Sequence, residues 1–167
     1  MTISMYEASI PVLKRFLSNL SVILTKASAY ADARKIDHSV LLNARLFPDM
    51  YSLIKQVQIA SDQAKGAAAR LAGVEIPKFE DNESSFAELH ERIAKTIAFL
   101  DTIKPEQLEG SESRDIVLTL RDRKLEFKGL QYLLTWVQPN FYFHVTTAYD
   151  ILRHNGVEIG KRDFMGG

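Results

Sequence analysis

The chain of 167 residues contains no cysteine. This absence excludes disulfide bonds, thiolate metal ligands and a cysteine nucleophile. The chain also lacks an excess of either charge, because 21 basic side chains balance 21 acidic ones. A neutral chain gives no electrostatic reason to expect a nucleic-acid partner. It also has little self-repulsion, so self-association is easy to accommodate.

Several signals of location and catalysis are absent as well. The N-terminal stretch MTISMYEASIPVLKRF places Glu7 and Lys14 among its apolar residues, unlike a secretory signal or a membrane span. We therefore expect a cytoplasmic protein with no membrane partner. No G-x-S-x-G nucleophile elbow occurs, and the Gly-Lys pair at 160–161 lacks the spacing and the following Ser or Thr of a phosphate loop.

Four long stretches of the sequence have apolar residues that recur at helical spacing. Gly73 supplies a stop for the second stretch, and Ser85 with Glu88 forms a capping box that opens the third. The alanine-rich segment AKGAAARLAG predicts close approach of a neighbouring helix. The predicted helices span residues near 4 to 30, Pro48 to Leu71, Ser85 to Leu100 and Leu130 to Asn155. In the first of them Pro11 indicates either a start near Ser9 or a bend there.

The segment DIVLTLRDRKLEFKG shows a different pattern, with apolar and polar residues alternating on both sides of Arg121 and Asp122. Alternation of this kind predicts two short strands joined as a β-hairpin. We therefore expect an all-α protein, a four-helix bundle over a single domain of residues 1–167, with a small β-hairpin inserted before the last helix. The tail after Gly156 is expected to be irregular.

Two groups of charged residues are explained without a functional site. Glu80, Asp81 and Glu83 cluster in the linker between the second and third helices, where acidic residues are usually solvated. Asp62 and Lys65 lie three residues apart on the second helix, so their side chains can meet. They form either a buried ion pair or an ordinary surface contact.

The candidate site lies in the last helix, in the segment QPNFYFHVTTAYDILRHNG. Asn140 and His144 are four residues apart and share one helix face, with Trp136 one turn earlier. A metal centre there would need a further ligand from a facing helix, and Asp49 and Gln56, seven residues apart on the second helix, are the candidates. Alternatively, His144 is a hydrogen-bonded core residue and Asn140 satisfies a carbonyl left unpaired by the adjacent proline.

A family resemblance rests on LFPDMYSLIKQVQIASDQAKGAAARLAGVEIP, on the hairpin followed by GLQYLLTWVQPNFYFHVTTAYDILRHNG, and on the closing GKRDF. These segments resemble a domain-of-unknown-function branch of the DinB/YfiT-like four-helix-bundle superfamily. The resemblance implies a homodimer and, in metal-binding members, a divalent ion such as zinc or nickel held by three histidines. Those three positions correspond here to Asn140, His144 and a residue near Gln56, so the implied metal site is degenerate.

Three functional hypotheses follow. The first is a small-ligand-binding or interaction protein whose cleft is lined by His144, Asn140, Gln56 and Trp136. The second is a divalent-metal-dependent enzyme, of the thiol transferase or hydrolase type that the resemblance implies, using His144 with Asn140 and a residue of the second helix. The third, compatible with either, is an interaction module in which the hairpin and an apolar helix face serve a dimer.

Overall fold

The computed structural model describes residues 3–120 and 122–167, and its described part contains four long helices that form a bundle. Short 3₁₀ turns at Pro105–Leu108 and Ser111–Ser113 connect the bundle to a two-stranded hairpin. The expected architecture of a helical bundle with an inserted hairpin is confirmed. The elements are α1 (Ile10–Arg34), α2 (His38–Leu42), α3 (Leu53–Ala72), α4 (Phe86–Thr102), β1 (Asp115–Thr119), β2 (Lys124–Lys128), α5 (Gly129–Gln131), α6 (Gln138–His154) and α7 (Lys161–Met165).

The first helix begins just after Ser9, which is one of the two alternatives that Pro11 indicates. Its first residue is Ile10, and Pro11 lies in the first turn, where the missing backbone N–H breaks no helical hydrogen bond. The helix then runs to Arg34 and buries one apolar face against the rest of the bundle. Among the described residues, no helix has both the length and the apolarity needed to cross a membrane.

The second long helix, α3, starts later than predicted. Pro48 and Asp49 lie in a turn, and the helix begins at Leu53 after the N-cap Ser52, so the placement of Asp49 on this helix was wrong. The predicted stop is correct, because Gly73 adopts a left-handed φ of 72° after the last turn. Alanines of the small-residue run are fully buried, as at Ala64 and Ala68, which allows the close packing that the sequence predicts.

The third long helix, α4, opens as its capping box predicts. The Ser85 hydroxyl accepts a hydrogen bond from the Glu88 backbone N–H, and the Glu88 carboxylate accepts one from the Ser84 backbone N–H. These bonds satisfy backbone donors that have no partner within the helix, and so they fix where α4 begins.

The last helical segment is continuous from Gly129 to His154, close to the predicted bounds, but its middle is not α-helical. Tyr132–Val137 is a π-helical segment, followed by α6 with Pro139 in its first turn. The wider π turn offers a position for a residue that lacks a backbone N–H, so the proline does not end the helix.

The hairpin pairs β1 and β2 in antiparallel register, with Val117 opposite Glu126. Ile116 and Leu118 are buried towards the helices, which supports a hairpin that would be marginal alone. Asp122 belongs to the predicted turn, whereas Arg121, also placed there by the sequence pattern, lies outside the described residues.

The acidic residues of the linker from 74 to 85 are solvated only in part: Asp81 is exposed, as expected, whereas the side chain of Glu83 is 9% exposed. Arg92 of α4, with 2% exposure, contacts Glu83 at 2.8 Å, Asp81 at 3.0 Å and Asp62 of α3 at 2.9 Å. Lys65 contacts the same Asp62 carboxylate at 2.9 Å with its own side chain buried. This network of charges ties the linker across α3 and α4.

The C-terminal tail was expected to be irregular, and this was wrong for α7. Its Phe164 packs on Phe16 of α1 with ring centroids 5.3 Å apart, and the Phe164 carbonyl accepts a hydrogen bond from the Asn19 amide at 2.9 Å. Lys26 contacts Asp163 at 2.5 Å. A five-residue helix has little stability of its own, so these contacts with α1 position it.

Candidate functional site

The central contact of the candidate site joins two helices. His144 on α6 and Gln56 on α3 lie face to face, with 2.7 Å between imidazole Nδ1 and amide Oε1. Gln56 is almost completely buried, at 1% exposure, while the imidazole is half-buried. The structure thus brings together the histidine and the second-helix residue that the sequence pairs.

The orientation of the Gln56 amide determines which imidazole nitrogen carries the proton. The Gln56 Nε2 group donates to the backbone carbonyl of Tyr51 at 3.1 Å, so its Oε1 atom faces His144. An amide oxygen only accepts hydrogen bonds, and therefore Nδ1 of His144 must be the donor. In the neutral imidazole this leaves Nε2 with its lone pair.

Burial lowers the pKa of His144 below its ordinary value of 6.5, so the neutral ring is favoured at pH 7. Among the described residues, Nε2 has no hydrogen-bond partner, and it is not one of the fully enclosed polar atoms that lack one. The Nε2 atom is therefore at least partly in contact with solvent.

One aromatic side chain packs on the His144 ring, and a second belongs to the residue whose carbonyl holds Gln56. Phe143 stands perpendicular to the His144 ring with centroids 5.3 Å apart, and 56% of Phe143 is exposed. Tyr51, whose carbonyl holds Gln56, is 58% exposed. Large apolar side chains left in water beside one oriented polar atom are a combination that suits a small organic ligand.

Asn140 lies one turn before His144 on α6, but its amide is used within the helix. Its Nδ2 group donates to the Trp136 carbonyl at 2.7 Å. That acceptor lies beside the Thr135 carbonyl, which Pro139 would leave without its α-helical donor. Asn140 thus bonds a carbonyl at the junction between the π-helical segment and α6, but not the carbonyl that the alternative interpretation of the sequence assigns to it.

The remaining two predicted residues lie apart from the His144–Gln56 contact. Trp136 is half-buried in the π-helical segment and packs on Phe127 of β2, with centroids 5.8 Å apart. Asp49 is exposed in the turn before α3. Neither residue makes a hydrogen bond with His144 or Gln56 within the described chain.

The donor set at this position does not fit a protein-held zinc or nickel ion. Such a site uses three or more His, Cys, Asp or Glu ligands, whereas here one imidazole faces a neutral amide. The described residues contain no group of three or more such side chains placed around one point.

Sequence reasoning missed two features, one at this site and one in the linker. The Tyr51 carbonyl, a backbone atom in a turn, leaves no pattern in the sequence. Arg92 did leave one, because it lies within the apolar stripe formed by Leu89 and Ile93, close in the chain to three acidic residues. An arginine at a core position with nearby carboxylates indicates a buried ion pair.

Comparisons with known proteins agree with this architecture. A crystal structure of a DinB family member from Shewanella denitrificans superposes with a TM-score of 0.89, at 40% sequence identity, over 98% of this chain and 92% of that one. The molecule is therefore a DinB-like helical bundle. The family model of the domain of unknown function DUF1993 matches residues 5–165, and the chain belongs to that family. No curated protein matches the sequence.

Proposed function

We propose that this protein binds a small organic ligand at the seam between α3 and α6, with Nε2 of His144 as the hydrogen-bond acceptor. The observation that carries the proposal is the His144–Gln56 hydrogen bond of 2.7 Å, which sets the tautomer and leaves the lone pair available. Gln56 is held in turn by the Tyr51 carbonyl, so the acceptor is preorganised before a ligand arrives.

The ligand class follows from the surroundings. A neutral acceptor pairs best with a hydroxyl or amine group, and exposed aromatic rings favour an apolar or aromatic body attached to it. We therefore expect compounds of the benzyl alcohol or benzylamine type to occupy this position, with the ring near Phe143 and the protic group at His144.

Nuclear magnetic resonance provides the test. Benzyl alcohol and benzylamine are titrated into ¹⁵N-labelled protein while the His144 ring resonances and nearby amides are followed. Binding is expected to shift the His144 resonances in the wild type and to be lost in His144→Phe. His154→Phe, at an exposed position on the same helix, is the matched control and should bind like the wild type. Equal binding by His144→Phe would contradict the proposal.

The alternative of a metal-dependent enzyme has one supporting observation. An imidazole that donates through Nδ1 to a carbonyl oxygen is oriented as metal-ligating histidines commonly are. Zinc and nickel titrations followed by calorimetry separate the two hypotheses. Stoichiometric binding that is lost in His144→Ala would favour the metal alternative over the metal-free ligand site, and we expect no such binding.

A further inference from the structure

One edge of the hairpin carries unused backbone hydrogen-bonding groups. Leu120 donates to the Arg123 carbonyl at 2.9 Å, which makes residues 120 and 123 a hydrogen-bonded pair. Because such pairs alternate along an antiparallel ladder, Asp115, Val117 and Thr119 direct their N–H and C=O groups away from β2. Within the described chain, none of these backbone groups has a partner outside the hairpin.

The β1 edge is compatible with a second copy of itself. When two β1 strands pair in antiparallel fashion about Val117, the Val117 of one copy lies opposite the Val117 of the other. Asp115 of each copy then lies opposite Thr119 of the other, so no like charges face each other. The apolar Val117 is 51% exposed on the outer face, so its contact with an identical residue removes apolar surface from water. Ile116 and Leu118 remain on the helix side of the sheet.

The β2 edge does not allow the same arrangement. Its outward-directed residues are Lys124, Glu126 and Lys128. If two β2 strands paired in antiparallel fashion about Glu126, the Glu126 residues of the two copies would lie opposite each other, and each Lys124 would lie opposite a Lys128. Like charges directly opposite each other are destabilising. Charged residues of this kind commonly protect an edge strand from pairing. The two edges of one hairpin thus differ, and only β1 is left open.

We propose that two copies of this chain associate through their β1 edges about a two-fold axis at Val117, forming a four-stranded antiparallel sheet. The chain carries no net charge that would oppose this contact. The proposal is independent of the ligand site, because it rests on backbone groups of β1 and not on His144. A short edge contact buries a modest area, so the dimer should dissociate on dilution.

Sedimentation velocity over a range of concentrations gives the first test. Val117→Pro removes the outward N–H of residue 117 and leaves the hydrogen bonds between β1 and β2 in place. Each dimer then loses two hydrogen bonds between the copies, so the dimer dissociation constant should rise at least about tenfold. Glu126→Pro is the matched control, since it removes the corresponding N–H from the β2 edge, and it should leave the dissociation constant unchanged.

The contradicting outcomes are distinct. A wild type that remains a monomer up to millimolar concentration overturns the proposal, and so does a dimer that Val117→Pro leaves intact. Equal weakening by both proline variants would indicate head-to-tail pairing of β1 with the β2 edge of another copy. Head-to-tail pairing leaves a free edge at each end, so further copies can add and open chains form. This result too would overturn the two-fold dimer.

Cross-linking gives a second test that does not depend on proline being tolerated. The native chain has no cysteine, so a single introduced thiol reports on one position. Paired residues in a hydrogen-bonded antiparallel pair have Cα atoms about 5.5 Å apart, within disulfide range. Val117→Cys should form a covalent dimer on mild oxidation, whereas Glu126→Cys, directly opposite it in the hairpin, should not. Equal cross-linking by both variants contradicts the proposal.

Discussion

Gln56 and His144 connect α3 to α6 through one hydrogen bond of 2.7 Å between side chains 88 residues apart in sequence. The Gln56 amide is also bonded to the Tyr51 carbonyl, so it presents its oxygen and not its NH₂ group to the imidazole. The histidine is thereby a neutral ring that donates on the protein side and accepts on the open side.

Gln56→Glu should raise the pKa of His144. In the wild type, burial holds that pKa below 6.5, and a carboxylate in place of the amide would favour the protonated ring by about one pKa unit or more. The measurement is an NMR titration of the His144 ring. The control is Gln131→Glu, which adds the same charge 13 residues from His144 along the helical segment, about 20 Å away. A His144 pKa that does not respond to Gln56→Glu would contradict the assigned contact.

The stability of the fold should decrease on mild acidification, in part because of two histidines. Burial lowers the pKa of both His144 and His90, so below pH 6.5 the unfolded chain binds protons that the folded chain does not. The free energy of unfolding therefore falls as pH decreases from 6.5 towards the folded-state pKa values. Urea denaturation at pH 8 and pH 5 measures the decrease, which should be smaller in His144→Gln. An unchanged decrease in that variant would contradict the burial of a neutral ring.

A second loss of stability is expected at lower pH, from the linker. Desolvation opposes ionisation of Glu83 and Asp81, yet Arg92, Gln58 and Lys55 outweigh it and the pKa of each carboxyl lies below its ordinary value. A lowered carboxyl pKa stabilises the fold above the unfolded value of 4.5 or 3.8, and this stabilisation disappears as pH falls through the folded-state pKa. Hydrogen exchange of residues 74–85 should accelerate below pH 4 before that of α3 does.

Arg92→Met should destabilise the protein by about 2–4 kcal/mol. It leaves Glu83, Asp81 and Asp62 without their common partner, although their partial exposure allows water to compensate in part. The variant Arg153→Met, at an exposed position of α6, is the control and should stay within about 0.5 kcal/mol of the wild type. Urea midpoints provide the comparison, and similar midpoints for the two variants would show that the network adds little.

Ala64→Leu should destabilise the bundle by about 1–3 kcal/mol, because Ala64 is fully buried within the close packing of α3. Ala98→Leu changes an exposed position of α4 and should have a small effect. Thermal unfolding followed by circular dichroism compares the two. A tolerated leucine at position 64 would contradict the tight packing inferred from the alanine run.

The bundle was readable from the sequence because helix periodicity, caps and stops are local signals. The S-x-x-E box at Ser85 and the stop at Gly73 match the structure, and the alternation around residues 115–128 gives the hairpin. The start of α3 was wrong, because Pro48 fits a first helical position locally, yet the helix begins at Leu53. The short helix α7 depends on contacts with α1, which leave no local pattern.

The candidate site was predictable only in part. The pairing of His144 with Gln56 could be anticipated from helix faces and the family resemblance, whereas the bonding of Asn140 to the Trp136 carbonyl depends on the π-helical segment. No periodicity distinguishes six residues of π-helix from α-helix. Likewise, the role of the linker depends on Arg92, whose partners are 9 to 30 residues away.

The most direct test of the account is the protonation site of the His144 ring, measured at pH 8 from its ¹⁵N chemical shifts and long-range ¹H–¹⁵N correlations. We expect a proton on Nδ1 and an unprotonated Nε2. A ring protonated on Nε2 would contradict it, because the amide oxygen of Gln56 could not then be its partner and no acceptor would face the ligand.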